Sequence, residues 1–374
     1  MSGAPVDVPN PSPQETDDDE EMPRVVTRRR FVLGGLLILA VVALLYYGLP
    51  RLAGIDATWH RIEQGDPWWL ALAAGFAVLS FVGYVILFQY VYVEGGARLG
   101  LRESYEITMA SLAATRIFAA GGAGGIALTA WAMRRHGMAR RTVAECTIVF
   151  LVLTYGVYMA TMLVVGVGLR VGLFPGPDPF GLTVVPAVFA GVSIALTLLL
   201  SLTPTDLQRR VDAAIGRGGW LARLAAKAAT LPASMSAGVR LSIRLARNRD
   251  PAILGAIASW GFNVCVLWAS FRAFGEPPPW AVLVMGYFVG MLGNLLPLPG
   301  GVGGVDGGMI GAFIGFGVDD GLAVVAVLTY RAFAFWLPTI PGAIAFFQLR
   351  RTVQRWREER EGDRRRDAAA VARA

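Results

Sequence analysis

Long apolar segments alternate with short charged loops along most of the chain, and this pattern predicts membrane-spanning helices. A helix needs about 20 mostly apolar residues to cross the hydrocarbon core of a bilayer. Several segments of the sequence meet that requirement. The sequence therefore predicts six full crossings, at 31–49, 68–93, 143–168, 182–202, 252–274 and 322–347.

Two further apolar segments, 105–133 and 280–316, are interrupted by glycine. The first contains GGAGG at 121–125, and the second contains PLPGGVGGVDGG at 297–308. Relative to alanine, glycine destabilises a helix interior by about 1 kcal/mol and proline by about 3 kcal/mol. Both helices are therefore expected to break at these motifs. Backbone groups freed at such a break cannot face lipid, so we expect them to line an enclosed cavity. An alternative is that these glycines only allow close helix packing.

The basic loops predict the orientation of the chain in the membrane, because positive residues in short loops favour the cytoplasmic side. Arginine-rich stretches at 28–30, 95–102, 133–141 and 204–250 all reach that side if both termini are cytoplasmic. The first interrupted segment then begins and ends inside, whereas the second begins and ends outside. Each is therefore predicted to be a re-entrant hairpin, and the two hairpins enter from opposite faces.

The two halves of the chain share a short motif. VLTY follows the first interrupted segment at 152–155 and the second at 327–330. Two similar units inserted in opposite orientations form an inverted repeat, in which broken helices meet near the membrane midplane around a substrate site. The predicted fold is an all-α membrane protein with about six full crossings and two re-entrant hairpins in an inverted repeat.

Composition and charge delimit the rest of the chain. Hydrophobic residues make up 55% of the sequence and charged residues 16%, which indicates an integral membrane protein. Residues 1–30 are predicted to be a disordered tail, 203–250 a basic cytoplasmic linker between the halves, and 351–374 a charged cytoplasmic tail. Two cysteines and two histidines are too few for a disulfide framework or a zinc site. No metal, cofactor or nucleic-acid partner is predicted.

Four ionisable residues in or near the interrupted segments are candidates for a site: Arg116, Glu145, Asp306 and Arg331. Charged groups at membrane depth are energetically costly and are usually functional or paired. Two structural alternatives stand beside the functional interpretation. Glu145 can lie at the membrane interface, and Asp306 with Arg331 can form an ion pair that only stabilises the fold.

The run NLLPLPGGVGGVDGG and the later AVLTYR resemble the late motif of the lysylphosphatidylglycerol synthase transmembrane-region family, the flippase-like domain. The resemblance covers a transmembrane domain at 31–350. Asp306 stands where the family usually has glutamate, and RIFAAGGAGG lacks a proline and an arginine found in many relatives. The residues that match the motif are Pro297, Pro299, Gly300, Gly301, Gly303, Asp306 and Arg331.

The resemblance implies a multi-pass protein of the cytoplasmic membrane that moves a phospholipid between leaflets, in the best-known members an aminoacylated phosphatidylglycerol. The sequence contains no phosphate loop of the nucleotide-hydrolysing type, so hydrolytic energy input is not expected, and the leading prediction is a transporter that is not an enzyme. The lipid phosphate is expected to meet arginine and the N-termini of half-helices. The predicted substrate site comprises Arg116, Gly121, Gly122, Gly124, Gly125, Glu145, Pro297, Pro299, Gly300, Gly301, Gly303, Asp306, Tyr330 and Arg331.

Two other functions remain open from the sequence. An intramembrane enzyme acting on a lipid headgroup or a polyprenyl phosphate would need an acid–base pair, for which Glu145 and Asp306 are the candidates. Alternatively, the chain is a membrane subunit that recruits a separate glycosyl- or aminoacyl-transferase through its basic linker. Membrane phospholipids are the expected partners in each case, and the sequence gives no indication of the oligomeric state.

The predicted topology can be tested with single cysteines in a background that lacks Cys146 and Cys265. A membrane-impermeant thiol reagent should label Arg135→Cys only from the cytoplasmic side and Asp320→Cys only from the outside. Labelling of both positions from one face would contradict the inverted repeat.

Overall fold

The computed structural model describes residues 65–117, 123–201, 250–296 and 301–371, together with 236, 238–245, 247 and 248. Within these ranges the chain is helical and contains no strand. The predicted N-terminal tail, the first predicted crossing and most of the basic linker lie outside the described residues. So do five of the predicted site residues: Gly121, Gly122, Pro297, Pro299 and Gly300.

The described chain is a succession of helices joined by short turns. It also includes a 3₁₀ turn at Leu292–Leu295 and a π turn at Ala332–Trp336. The α-helices are α1 (Pro67–Glu94), α2 (Leu101–Ile117), α3 (Ala123–His136), α4 (Arg140–Arg170), α5 (Phe180–Ser201), α6 (Pro251–Phe274), α7 (Trp280–Met291), α8 (Gly304–Gly315), α9 (Asp320–Arg331) and α10 (Thr339–Val371).

Five stretches of the described chain are long and apolar enough to cross a membrane. Four are single helices, α1, α4, α5 and α6, and the fifth runs from α9 through the π turn into α10. These stretches coincide with five of the six predicted crossings. The all-helical architecture and the multi-pass membrane character predicted from the sequence are therefore confirmed.

The last predicted crossing differs from the prediction because it is not one regular helix. Proline at 338 has no N–H, so the carbonyl of Ala334 loses its α-helical partner. The chain widens there into the π turn, in which the N–H of Leu337 donates to the carbonyl of Ala332 at 2.9 Å. The apolar pattern across this segment is uninterrupted, and hydropathy alone therefore does not reveal the turn.

Helices α1 and α6 share the most extensive contact between two described helices, and they begin in the same way. Asp66 accepts a hydrogen bond from the N–H of Trp68, and Asp250 accepts one from the N–H of Ala252, both at 2.9 Å. A proline follows each aspartate at the first helical position, where its fixed φ fits the helix and its missing N–H is not needed. The Asp-Pro start is a second feature shared by the two halves, in addition to VLTY.

Helices α1 and α6 lie antiparallel with their backbones in close contact. At one end the rings of Trp69 and Trp268 lie 5.1 Å apart, centroid to centroid. Towards the other end, a Cβ atom built on Gly255 would lie 2.7 Å from the carbonyl oxygen of Gly83 and from the backbone nitrogen of Leu87. Only glycine fits there, and the small residues allow the close approach that stabilises helix pairs in membranes.

Each interrupted segment consists of two half-helices that pack against each other. In the first, the hydroxyl oxygens of Ser111 on α2 and Thr129 on α3 are 2.8 Å apart. In the second, a Cβ built on Gly290 of α7 would lie 2.8 Å from the Cα of Met309 on α8. Close packing is thus one role of the glycines, as the alternative interpretation held, but the helices are also broken.

The element order helix, half-helix pair, helix occurs twice, as α1 to α4 and as α6 to α9. The leading helices of the two units are antiparallel, as an inverted repeat requires. The units interlock, since α2 and α3 pack against α10, which extends the second unit beyond α9, whereas α7 packs against α4 of the first unit. The membrane faces from which the half-helix pairs enter stay a prediction.

The contact between α1 and α6 predicts opposite effects for two glycine substitutions on α6. Gly255→Ala should lower the free energy of unfolding by about 1–3 kcal/mol, because the new Cβ meets backbone atoms. Gly261→Ala is the matched control, since nothing lies within 4 Å of its Cβ position, and it should be neutral or slightly stabilising. Thermal unfolding in detergent measures both, and equal effects at the two positions would contradict the packing.

Candidate functional site

A cavity of about 470 Å³, which we call the central cavity, is lined by residues of seven described helices, α1, α2, α4 to α7 and α9. Described residues next to both interruptions line it. Thr115 and Arg116 precede the first break, while Asn294 and Gly301 flank the second. Half-helix ends from both units therefore meet at one cavity, as expected for backbone that lipid cannot solvate.

The two VLTY motifs lie at the same cavity. Thr154 and Tyr155 from the first motif and Tyr330 from the second contribute to its wall, and Arg331 follows Tyr330 there. A motif that appears twice in the sequence, 175 positions apart, is thus brought to one place by the antiparallel arrangement of the two units.

Arg116 is buried and connects the first half-helix pair to the second unit. Its guanidinium group donates to the carbonyl oxygens of Ala334 at 3.0 Å and Phe335 at 2.5 Å, and to the hydroxyl of Thr339 at 3.2 Å. The carbonyl of Ala334 is available because proline occupies position 338. The π turn therefore supplies acceptors that a regular helix would have used internally.

A single aromatic ring lies beside both arginines of the cavity. The guanidinium carbon of Arg331 is 4.1 Å from the centroid of the Phe335 ring, and that of Arg116 is 4.8 Å from it. Contacts of this kind stabilise a desolvated cation. Among the described residues that line the cavity, none is acidic, but Asp306 lies behind Arg331 and offsets one of the two arginine charges. The two arginines and Asp306 together leave one positive charge.

Arg331 also forms the ion pair that the sequence analysis gave as a structural alternative. Its Nε lies 2.5 Å from Oδ1 of Asp306, and both side chains are largely buried. Oδ2 of Asp306 accepts a hydrogen bond from the N–H of Gly303 at 2.9 Å. The carboxylate thus caps the first turn of α8, where the helix dipole favours negative charge.

The glycines that the structure describes serve backbone geometry. Gly301 and Gly303 have φ angles of +67° and +83°, a region that side-chain-bearing residues rarely adopt, and they form the turn into α8. Gly301 lines the cavity. Gly124 and Gly125 are buried in α3, and a Cβ at Gly125 would lie 2.5 Å from the carbonyl oxygen of Ser111.

The structure does not bring Glu145 to the cavity, which corrects its predicted place in the site. Glu145 is one turn from Arg141 on α4, and Oε1 of Glu145 lies 2.9 Å from Nε of Arg141. This partly exposed pair agrees with the interfacial alternative. The acid–base pair required by the enzyme alternative, Glu145 with Asp306, is therefore not assembled.

Several residues of the cavity wall were not predicted from the sequence. Asn263 on α6 donates to Ser80 on α1 and to the carbonyl of Ser259, and the hydroxyl of Tyr330 donates to that of Tyr287 at 3.3 Å. Asn263 and Ser80 are isolated polar residues inside apolar segments, and that signal could have identified them. The aromatic residues of the wall gave no such signal, because aromatic side chains are common in membrane helices.

Other polar groups of the wall are used within the protein. The indole N–H of Trp260 donates to the carbonyl of Thr154 at 2.8 Å, and the hydroxyl of Tyr158 donates to the carbonyl of Phe288 at 2.7 Å. The described residues contain no cluster of three or more His, Cys, Asp or Glu that could hold a metal ion. The arginines are therefore the prominent polar groups with which the described wall can meet a ligand.

The chain is similar to one known protein family and to two curated proteins. A family model described as lysylphosphatidylglycerol synthase TM region matches residues 31–342. Two curated relatives from Methanothermobacter thermautotrophicus, each described as a UPF0104 membrane protein, are 35% identical over 91 residues and 36% identical over 90 residues. Each alignment covers 24% of this chain, and 26% and 27% of the two relatives. The chain thus spans about a quarter of the length of these relatives.

The buried ion pair predicts non-additive effects on stability. Asp306→Asn should destabilise the protein by roughly 3–5 kcal/mol, because it leaves Arg331 buried without its carboxylate. Arg331→Gln should have a similar effect, and the double variant should recover much of the loss. Thermal unfolding in detergent measures all three variants.

A matched exposed pair provides the control. Nη1 of Arg170 lies 2.8 Å from Oδ2 of Asp178, and both side chains are exposed. An exposed ion pair contributes only about 0–1 kcal/mol to the free energy of unfolding. Arg170→Gln and Asp178→Asn should therefore change stability little. Additive losses at Asp306 and Arg331 would contradict a coupled pair.

Proposed function

This chain belongs to the lysylphosphatidylglycerol synthase TM region family, and on that premise we propose that it is a transporter that moves a phospholipid between the leaflets of the cytoplasmic membrane. The lipid headgroup passes through the central cavity, and its phosphate binds Arg116 or Arg331. An aminoacylated phosphatidylglycerol is a candidate substrate. In this proposal the chain is not an enzyme.

One observation carries the proposal. Two buried guanidinium groups lie at a cavity between the broken helices of two antiparallel units, and no described residue of the wall is acidic. Guanidinium groups bind phosphate through charge-assisted, often bidentate hydrogen bonds, which are strong where water is excluded. The volume of about 470 Å³ lies within the usual range for a small-ligand pocket.

The antiparallel units provide a means of alternating access. In transporters built from inverted repeats, one unit rocks against the other around a fixed site. The hydrogen bonds from Arg116 to the π turn connect the two units across this cavity. A phosphate that competes for Arg116 weakens this connection, so substrate binding and the relative movement of the units are coupled. The hairpins enter from opposite faces and both termini are cytoplasmic in this proposal.

The two other functions receive less support. The enzyme alternative depended on Glu145 and Asp306, which are apart. The recruitment alternative depended on the basic linker, which lies mostly outside the described residues. Neither is favoured by a specific contact in the part of the chain that the structure describes.

Translocation by the purified protein in proteoliposomes tests the proposal. Labelled analogues of phosphatidylglycerol, aminoacylated phosphatidylglycerol, phosphatidylethanolamine and phosphatidylcholine should be compared by the fraction that changes leaflet. The wild-type protein should accelerate at least one analogue. Arg116→Gln should lower that rate roughly tenfold or more, because it removes charge-assisted hydrogen bonds to phosphate.

Two further variants separate binding from folding. Arg116→Lys keeps the charge and should retain part of the activity if charge attracts the phosphate. Arg272→Gln removes an arginine in the last turn of α6, outside the described cavity wall. This variant should transport lipid at the wild-type rate. Absence of translocation by the wild-type protein for every headgroup, or full activity of a correctly folded Arg116→Gln variant, would overturn the proposal.

A further inference from the structure

A second polar pocket lies between α2 and α10, apart from the central cavity. It has a volume of about 410 Å³ and is located where α10 changes from apolar to basic sequence. Three arginines line it, Arg102 from α2 with Arg351 and Arg355 from α10. The other lining residues are Gln348, Thr352, Gln354 and Glu358.

A chain of hydrogen bonds holds two of these arginines in place. Nε of Arg102 lies 3.0 Å from Oε1 of Glu106, a carboxylate that is only 1% exposed. Oε2 of Glu106 accepts from the hydroxyl of Thr352 at 2.6 Å, and the hydroxyl oxygen of Thr352 accepts from Arg355 at 2.9 Å. A guanidinium group has five N–H donors, and these contacts use one from each arginine. These contacts therefore orient the two arginines and leave their other N–H groups for a ligand.

The charge of the pocket favours an anion. Its lining and the carboxylate beneath it bring together three guanidinium groups and two carboxylates, those of Glu106 and Glu358. Positive charge remains in excess. At a membrane surface such groups attract anionic lipid headgroups.

An apolar groove of about 520 Å³ lies further along the same two helices. Leu101, Tyr105 and Met109 of α2 form one side of it, and Ile340 and Pro341 of α10 form another. A third side comes from α1 and consists of Ala77, Val78, Phe81, Val82, Val85 and Ile86. The described lining of the groove contains no charged side chain.

The groove and the pocket lie on one face of α10. Pro341, Gln348, Thr352 and Arg355 are separated by seven, four and three residues, which is the spacing of a single helix face. Pro341 and Arg351 are ten residues apart, or about 15 Å along the helix axis. That distance is close to half of the roughly 30 Å hydrocarbon core, the depth of one leaflet.

We propose that the seam between α2 and α10 binds an anionic phospholipid. Its phosphate contacts Arg102, Arg351 and Arg355, and one acyl chain lies in the groove. This site is distinct from the central cavity, although Phe81 borders both the cavity and the groove. The inference does not depend on the proposed transport activity.

Lipid-dependent thermal unfolding of the full chain in non-ionic detergent tests the site. Dioleoyl phosphatidylglycerol should raise the unfolding midpoint in a saturable way, which gives an apparent Kd. Dioleoyl phosphatidylcholine, whose cation offsets the phosphate, should bind at least fivefold more weakly. Dihexanoyl phosphatidylglycerol and inorganic phosphate, which lack a long chain, should also bind more weakly. Equal binding of phosphatidylcholine, or equal binding of inorganic phosphate, would overturn the proposal.

Two neighbouring arginines provide a matched pair of variants. Arg351→Gln should raise the apparent Kd for dioleoyl phosphatidylglycerol about fivefold, the effect of one arginine near a membrane surface. Arg350→Gln makes the same change in charge beside the pocket and should leave the Kd unaltered, since Arg350 does not line it. Equal effects of the two substitutions would show general surface attraction and contradict a site.

A third variant tests the acyl-chain groove. Val82 is about half exposed and lines the groove, so Val82→Trp should fill it and weaken binding of the dioleoyl lipid. Binding of the dihexanoyl lipid should change much less. If Val82→Trp lowers the midpoint without lipid and leaves the lipid Kd unchanged, another part of the protein covers the groove and the proposal fails.

Discussion

The hydrocarbon core of a bilayer provides no hydrogen-bond partner for a broken helix, and the structure depends on how this chain meets that constraint. At the π turn, proline at 338 frees the carbonyl of Ala334, and Arg116 from the other unit donates to it. At the start of α8, the N–H of Gly303 donates to Asp306, whose carboxylate in turn pairs with Arg331. Charged side chains thus supply the missing hydrogen-bond partners of backbone groups at both places. This requirement explains why arginine lies in the membrane interior.

The same contacts join the stability of the fold to the proposed phosphate site. Arg116 and Arg331 bind groups of the protein and also face a cavity large enough for a lipid headgroup. A phosphate that enters this cavity competes with backbone carbonyls for Arg116. An arginine with only a structural role would need no such cavity beside it, and the coincidence of half-helix ends, cavity and arginines is the basis of the proposed transport function.

The sequence predicted the features that depend on local composition. Apolar length predicted the crossings, and glycine with proline predicted the second break. The ion pair of Asp306 with Arg331 was foreseen as an alternative because both charges lie in apolar surroundings. The sequence did not predict contacts between distant segments, such as Arg116 with Phe335 or Gly83 with Gly255. Glu145 was misplaced because its partner, Arg141, is one helical turn away, and no pattern distinguished an interfacial position from a buried one.

Photocrosslinking of a phospholipid with a reactive group next to its phosphate tests the central claim most directly. The account predicts crosslinks to cavity residues, such as Tyr155 and Asn263, that unlabelled lipid suppresses and that Arg116→Gln reduces. Peptide mapping by mass spectrometry would locate them. Crosslinks confined to exposed residues on the surface of α5, such as Val185 and Val188, would contradict a headgroup path through the cavity.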